Sequence, residues 1–421
     1  MDKWVIMFKG GVETQEFFSM EMAHTFEARG YNVYWINLVT SEQDSILLQL
    51  FLEEHKHDEI ITFAFNFNGL SCEPGLYGRK WKSGNVWDDY EIPVYNMVVD
   101  HPLYYHKNLE IIPKRYVQLS IDYNHIEYMK RFFPQVNASS AYAGIPDERF
   151  YLPLGGTGIN MDGSILADEP YLSMDERPIN VIFTGNYTPP ERFEQYLTGM
   201  DPESREFFHE LVHENIASPN ELTEVLLERK LMTEQVTYDT DSLRNVCPNL
   251  MYVDLSIRFF YRAKVITALA DSGIKIDTYG AGWDMADCAH PENIIVHGNV
   301  NSRECLDMIS QSKISVNVMP WFKNGAHDRI FNSMLNGAAV VSDSSAYLDK
   351  CFDDNSMLFY KLNDLRSKEG CEALGESVKM LLADRDRLGR MTANAYRICA
   401  DNHTWACRTN QFIDNCISLM V

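Results

Sequence analysis

The stretch Ser312 to Asp343, SKISVNVMPWFKNGAHDRIFNSMLNGAAVVSD, constrains the chain most. Ile314, Val316 and Val318 alternate as strand residues do, and Pro320 ends the run. A loop follows with Trp321, Phe322, Lys323, Asn324 and Gly325. Asp328 to Leu335 has helical spacing, with Phe331, Met334 and Leu335 on one packing face. Gly337 stands where a helix ends on a left-handed residue. Ala338 to Val341 is a small-then-apolar run suited to a parallel strand buried on both faces. Strand, loop, helix, stop, strand is the repeating unit of a doubly wound α/β sheet.

Such a unit can do chemistry at its loop. A helix that starts at the C-terminal end of a strand turns free N–H groups and a positive dipole end toward an anion. Arg329 in the first turn has the planar fork that suits a phosphate. Asp328 and Asn332 lie four apart and share a helix face. The same pattern also fits a solvated loop with a surface ion pair.

Charge and cysteine usage narrow the classes. The 421 residues carry 60 acidic and 37 basic side chains, a formal net charge of −23. That balance disfavours nucleic acid and anionic membranes as partners, since both reward a basic face. Nine cysteines are scattered without a C-x-x-C pair, which predicts reduced thiols in a cytoplasmic protein and no zinc site. The sequence opens Met1-Asp-Lys straight into an apolar strand, with no signal peptide in view. No apolar run approaches the roughly 20 residues of a membrane span. The length leaves room for two cores.

The first half reads as a β-α-β opening: strand Trp4 to Phe8, helix from about Thr14 to Arg29, strand Tyr31 to Leu38. Gly10 and Gly11 at the first strand end let the backbone approach a ligand, or simply turn the chain. They do not form G-x-G-x-x-G, so a nicotinamide oxidoreductase gains little support. The buried strand Pro93 to Val99 ends in Asp100-His101-Pro102. Active-site groups project from strand ends in such sheets, so Asp100 and His101 are the best-placed ionisable pair of this half. A strand-end histidine bonded to backbone is the plainer alternative. His106 is a weaker candidate, and Asp122 and His125 head the helical run Ile121 to Phe132. Ala141 to Ile145 leads on to Leu152-Pro-Leu-Gly155.

In the second half, Ile179 to Phe183 runs into the turn Thr184-Gly185-Asn186-Tyr187. From Pro190 to about Asp271 the chain reads as mostly helical, an insert of roughly 60 residues beyond a plain βα connection. Arg192 is either an anion partner or a surface charge. Lys275 to Tyr279 ends in Gly280-Ala-Gly282-Trp283, and Ile294 to Val296 in His297-Gly298-Asn299-Val300. Trp283 offers a stacking face or fills the core. No D-x-D run falls at a strand end where a divalent metal would sit.

Taken together, Asn317, His327, Arg329, Phe331, Asn332 and Gly337 resemble the C-terminal signature of group 1 glycosyltransferases, in the branch containing spore-maturation-type proteins. The Leu-Pro-x-Gly, Gly-x-Gly-Trp, His-Gly-x-Val and His403-Thr404-Trp405 segments resemble that family in order. The resemblance implies an α/β GT-B architecture: two Rossmann-like doubly wound domains facing a central cleft, with a helical insert and a C-terminal crossover helix. It places an acceptor-side domain at 1–175, a donor domain at 176–400 with the insert at about 190–255, and the crossover helix at 401–421. It implies metal-independent transfer from a nucleotide-sugar, a UDP-sugar foremost, to a hydroxyl, with no further cofactor. Donor binding falls to Gly185, Asn186, Tyr187, Gly280, Gly282, Trp283, His297, Gly298, Val300, Lys323, Asn324, His327, Asp328, Arg329 and Asn332. Asp100 and His101 lie by the transferred sugar, with Gly10 and Gly11 on the acceptor side. The family usually has Glu where Asn332 stands, at the donor's ribose. That departure keeps open a second reading, a non-catalytic partner subunit or sugar-nucleotide sensor. The first helix and its lead-in carry Glu13, Glu16, Glu21 and Glu27 against Arg29, which favours a protein or soluble glycan acceptor over a lipid.

Overall fold

Two parallel sheets organise the chain. The computed structural model describes residues 1–137, 146–159 and 172–417. The stretch Ala141 to Ile145 and the residues after 417, where the last helix was expected to continue, lie outside them. The chain divides into one unit of Met1–Gly155 with Trp405–Val421 and a second of Gly156–Thr404. The boundary expected at 175 therefore falls at Gly155, because the Leu-Pro-x-Gly segment is where the chain leaves the first sheet.

The first unit has strands β1 (Lys3–Lys9), β2 (Tyr31–Asn37), β3 (Glu59–Phe65), β4 (Val94–Val98) and β5 (Tyr116–Ser120). They pair in parallel in the order β2-β1-β3-β4-β5. Strand order reverses between β1 and β3, so the loops after those strands form the crevice where such sheets take ligands. The helix Trp405–Asn415 packs on the helix Glu13–Ala28 in this unit. Phe412 is fully buried, edge-on to Phe26, Phe63 and Tyr95. Trp405 packs at 4.6 Å against Phe18.

The second unit has β6 (Ile179–Thr184), β7 (Ile276–Tyr279), β8 (Ile294–Gly298), β9 (Ser312–Val316), β10 (Ala339–Ser342) and β11 (Leu358–Phe359). Their order is β11-β10-β9-β6-β7-β8, and every pairing is parallel. Here the reversal lies between β6 and β9. The signature stretch folds as read: β9, a loop, the helix Asp328–Leu335, Gly337 at φ 71°, then β10. Phe331 on its buried face stacks on His403 at 4.8 Å. The insert between β6 and β7 comprises a 3-10 stretch Pro190–Leu197 and the helices Pro202–Ala217, Thr223–Thr233, Thr240–Val246 and Leu250–Asp271. Lys230 pins it from inside, 6% exposed, among Glu210, Glu214 and Glu234.

Candidate active site

The C-terminal ends of β6 and β9 are tied by one side chain. Arg329 is 6% exposed; its Nε donates to the Thr184 carbonyl at 2.6 Å and its Nη1 to Asn317 Oδ1 at 2.7 Å. Asn317 in turn donates to Ser342 Oγ at 2.8 Å, which extends the tie to the end of β10. Phe183 lies under the guanidinium at 5.0 Å. Among the described residues Nη2 takes no acceptor, and it is not sealed from solvent. Gly185 leaves room beside it, since a Cβ there would lie 3.0 Å from Nη2. Arg329 is thus a rigid bracket with one free corner of its fork at the reversal point.

Two small-residue turns interlock next to it. Gly185 N–H donates to the Tyr279 carbonyl, Tyr187 N–H to the Ala281 carbonyl, and Ala281 N–H to Asn186 Oδ1. The approach is too close for side chains: a Cβ on Gly280 would lie 2.4 Å from the Gly185 carbonyl oxygen, and one on Gly282 2.2 Å from that of Tyr187. Trp283 is the wedge beneath them. It is 2% exposed, its indole N–H donates to the Gly185 carbonyl at 2.8 Å, and Tyr187 stacks on it at 5.1 Å. Of the two roles open to it, it takes core packing; it has no open face for a base. His297 lies flat on Tyr279 at 4.4 Å, with Nε2 at 2.7 Å from Asp277. Gly298, at φ 80°, accepts from Gly280 N–H, which brings its turn to the other two. Val300 packs toward the core around Ile182 and Ile309.

The N-terminus of the helix Asp328–Leu335 is less open than the sequence suggests. His327 caps it, with Nδ1 3.2 Å from Arg329 N–H and 2.7 Å from Asp328 Oδ1, and Ile330 N–H donates to the His327 carbonyl. Burial and Arg329 push the His327 imidazole down to about 4, so it is neutral near pH 7. Asp328 is held below the usual carboxylate range despite burial, by His327 and then Arg329. Asn332 is already engaged at both ends: Oδ1 accepts from Thr157 N–H at 2.8 Å and Nδ2 donates to Asp328 Oδ2 at 3.0 Å. Its neutrality fits that task, because an amide both donates and accepts where a carboxylate only accepts. Asn324 is half-buried in the loop. Lys323 turns to the other side, donating to the carbonyls of Pro219 and Pro320, and so fastens the loop to the insert.

Three ionisable residues here escaped the sequence reading. Arg258 and Arg262 sit one turn apart on the helix Leu250–Asp271. Arg258 pairs with Asp254 at 2.9 Å and lies 4.0 Å over the Trp321 ring. Arg262 is 7% exposed and donates to the Asn186 carbonyl at 2.9 Å; burial first, and then the nearby Arg329, disfavour its charge. Asp343, at the end of β10, is 2% exposed and accepts from Met319 N–H at 2.9 Å. Burial pushes its carboxyl up to about 7.

In the first unit, Gly10 is at φ 78° and Gly11 lies beside Asn68, both at the β1–β3 crevice. The turn after β3 is strained: Asn66 and Phe67 have φ 46° and 63°. Asn66 is held there by accepting from Val99 N–H and donating to Asp100 Oδ2 at 2.9 Å. Tyr105 also donates to that oxygen, at 3.1 Å. His101 Nδ1 accepts from Leu103 N–H at 3.1 Å, and its ring packs edge-on to His125 and Tyr128. His101 thus has the backbone bond of the plainer alternative, while Asp100 is oriented by two donors.

Comparison with known proteins agrees with this architecture. Residues 262–414 match a family model described as glycosyl transferase-like. Sucrose-phosphate synthase from Thermosynechococcus elongatus is similar in structure over 98% of both chains, at 9% identity and a TM-score of 0.51. An α-glucosyltransferase in complex with UDP and a 13-mer DNA aligns over 100% of both chains, at 11% identity and a TM-score of 0.49. HepE of Anabaena in complex with UDP-glucose aligns over 99% of both, at 10% identity and 0.44. No curated protein matches by sequence. The fold is GT-B, and residues 262–414 are similar to glycosyl transferases.

Proposed function

We propose that the chain moves a sugar from a nucleoside-diphosphate donor to a hydroxyl of a protein or soluble glycan, and that the second unit holds the donor. The observation that carries this is the Arg329 bracket. Two of its nitrogens are fixed on Thr184 and Asn317, so Nη2 is held where strand order reverses. A preorganised cation stabilises charge as it develops on a leaving diphosphate, without reorganising during the reaction. In this reading the guanidinium takes that charge, and no divalent cation is needed. In the first unit, Asp100, oriented by Asn66 and Tyr105, is the ionisable group this reading puts forward for the chemistry.

The test is a thermal-shift panel of UDP-, GDP-, dTDP- and CDP-sugars, beginning with UDP-glucose, on wild type and Arg329→Lys. Lysine keeps the charge but not the three-cornered geometry. One donor at about 100 times its Kd is expected to stabilise wild type by about 2.7 kcal/mol, with the shift much reduced in the variant. No shift with any donor would reject the donor reading.

The engagement of Asn332 by Thr157 and Asp328 favours one second reading, a sugar-nucleotide sensor that binds without turnover. Slow release of free nucleoside diphosphate from the bound donor would exclude it.

A further inference from the structure

We infer that Arg262, delivered by the helix Leu250–Asp271, binds the donor's diphosphate together with Arg329. The inference rests on the nucleotide-sugar reading and names a group outside the signature stretch.

The argument starts from charge. Arg262 and Arg329 are each more than nine-tenths buried and lie close together. Arg258 has Asp254, and Arg329 has Asp328 next to it in the chain, but Arg262 makes no ion pair among the described residues. A buried cation beside another cation is costly unless an anion joins them. Bonding capacity points the same way. Among the described residues, Arg262 spends Nη1 on the Asn186 carbonyl, its Nε is buried without an acceptor, and its Nη2 has no partner and is not sealed off. Arg329 likewise has only Nη2 left.

Geometry supplies the rest. Both guanidinium groups are fastened to the same turn, Arg329 through Thr184 and Arg262 through Asn186, with Gly185 between them. Phe259, Trp321 and Phe183 stand around Arg262 at 5.0, 5.5 and 6.0 Å and fix its plane. Two held forks flanking a residue without a side chain suit the two phosphates of one diphosphate. Holding the Asn186 carbonyl alone would require one donor and no charge.

The test compares UDP, GDP, inorganic pyrophosphate and uridine by calorimetric titration on wild type, Arg262→Met and Arg262→Lys. Arg262→Met is expected to weaken UDP and pyrophosphate at least about 10-fold while leaving any uridine affinity unchanged, with Arg262→Lys in between. Equal weakening of UDP and uridine would mean that Arg262 only shapes the turn, and would overturn the inference. So would unchanged UDP binding in Arg262→Met, which leaves the donor reading intact. Wild type that binds neither UDP nor GDP, but binds pyrophosphate through Arg262, keeps the anion site and rejects the donor reading. Wild type that binds none of these overturns both. If Arg262→Met does not fold, Arg262→Lys alone decides: UDP affinity equal to wild type overturns the inference.

Discussion

At the scale of single residues, Asp343 links burial to a measurable pH response. Its carboxyl meets Met319 N–H, Ser342 Oγ and Tyr360 OH, with Lys323 nearby, yet burial outweighs them and raises it to about 7. In the unfolded chain the same group titrates near ~3.9. Between these values the folded chain holds one proton more than the unfolded one. Its contribution is therefore full below about pH 4, falls by up to about 1.4 kcal/mol per pH unit as pH rises toward 7, and is lost above that. Asp343→Asn keeps the acceptor for Met319 N–H and should remove this slope. Melting curves of both proteins from pH 4.5 to 8 check it; parallel pH profiles would contradict it. Residue-scale legibility was uneven. Arg329 could be read because its neighbours spell a strand, a turn and a helix. Arg262 could not, since among Phe259, Phe260 and Tyr261 it looks like any helix-surface arginine. Only the packing of that helix on the Gly185 turn gives it a partner.

At the scale of elements, the site is a set of turns pressed together until side chains no longer fit. Sequence marked each turn by its glycines and placed nearly every strand. It could not show that the Gly185, Gly280 and Gly298 turns are mutual neighbours, because that depends on β7 lying beside both β6 and β8. The same adjacency explains why Trp283 faces inward: its N–H is needed by the Gly185 carbonyl. Two glycines separate strain from contact. Gly273, at φ 84°, has open space where a Cβ would go, whereas Gly280, at φ 150°, has the Gly185 carbonyl there. Gly273→Ala should cost about 1 kcal/mol from backbone strain alone. Gly280→Ala should exceed about 3 kcal/mol, since rigid backbone must also shift. Urea midpoints at constant slope measure both. Two equally mild substitutions would mean that the turns are not interlocked.

At the scale of the whole molecule, the chain completes its first unit only at its end. The His403-Thr404-Trp405 run spans the boundary: His403 stacks on Phe331 in the second unit, while Trp405 packs on Phe18 and Phe65 in the first. Gly156 N–H donates to the His403 carbonyl at 2.8 Å, so the outgoing and returning segments pair where the chain changes unit. The crossover helix was legible from the sequence through its resemblance, but the early boundary was not, because nothing in the sequence shows what residues 156–159 pack against. They are bound along the helix Asp328–Leu335, through Thr157 on Asn332 and Ile159 on Asn336. Each unit therefore has its own core, and the first depends on a helix far along the chain. Phe412→Ala removes a fully buried ring from between Phe26, Phe63 and Tyr95. Phe-to-Ala changes in such cores cost about 3–5 kcal/mol. In scanning calorimetry the wild type should show two overlapping transitions. Phe412→Ala should lower only one of them and leave the transition shifted by a nucleotide-sugar in place. A single transition that moves as a whole would show that the two cores unfold together and that the helix stabilises the entire chain.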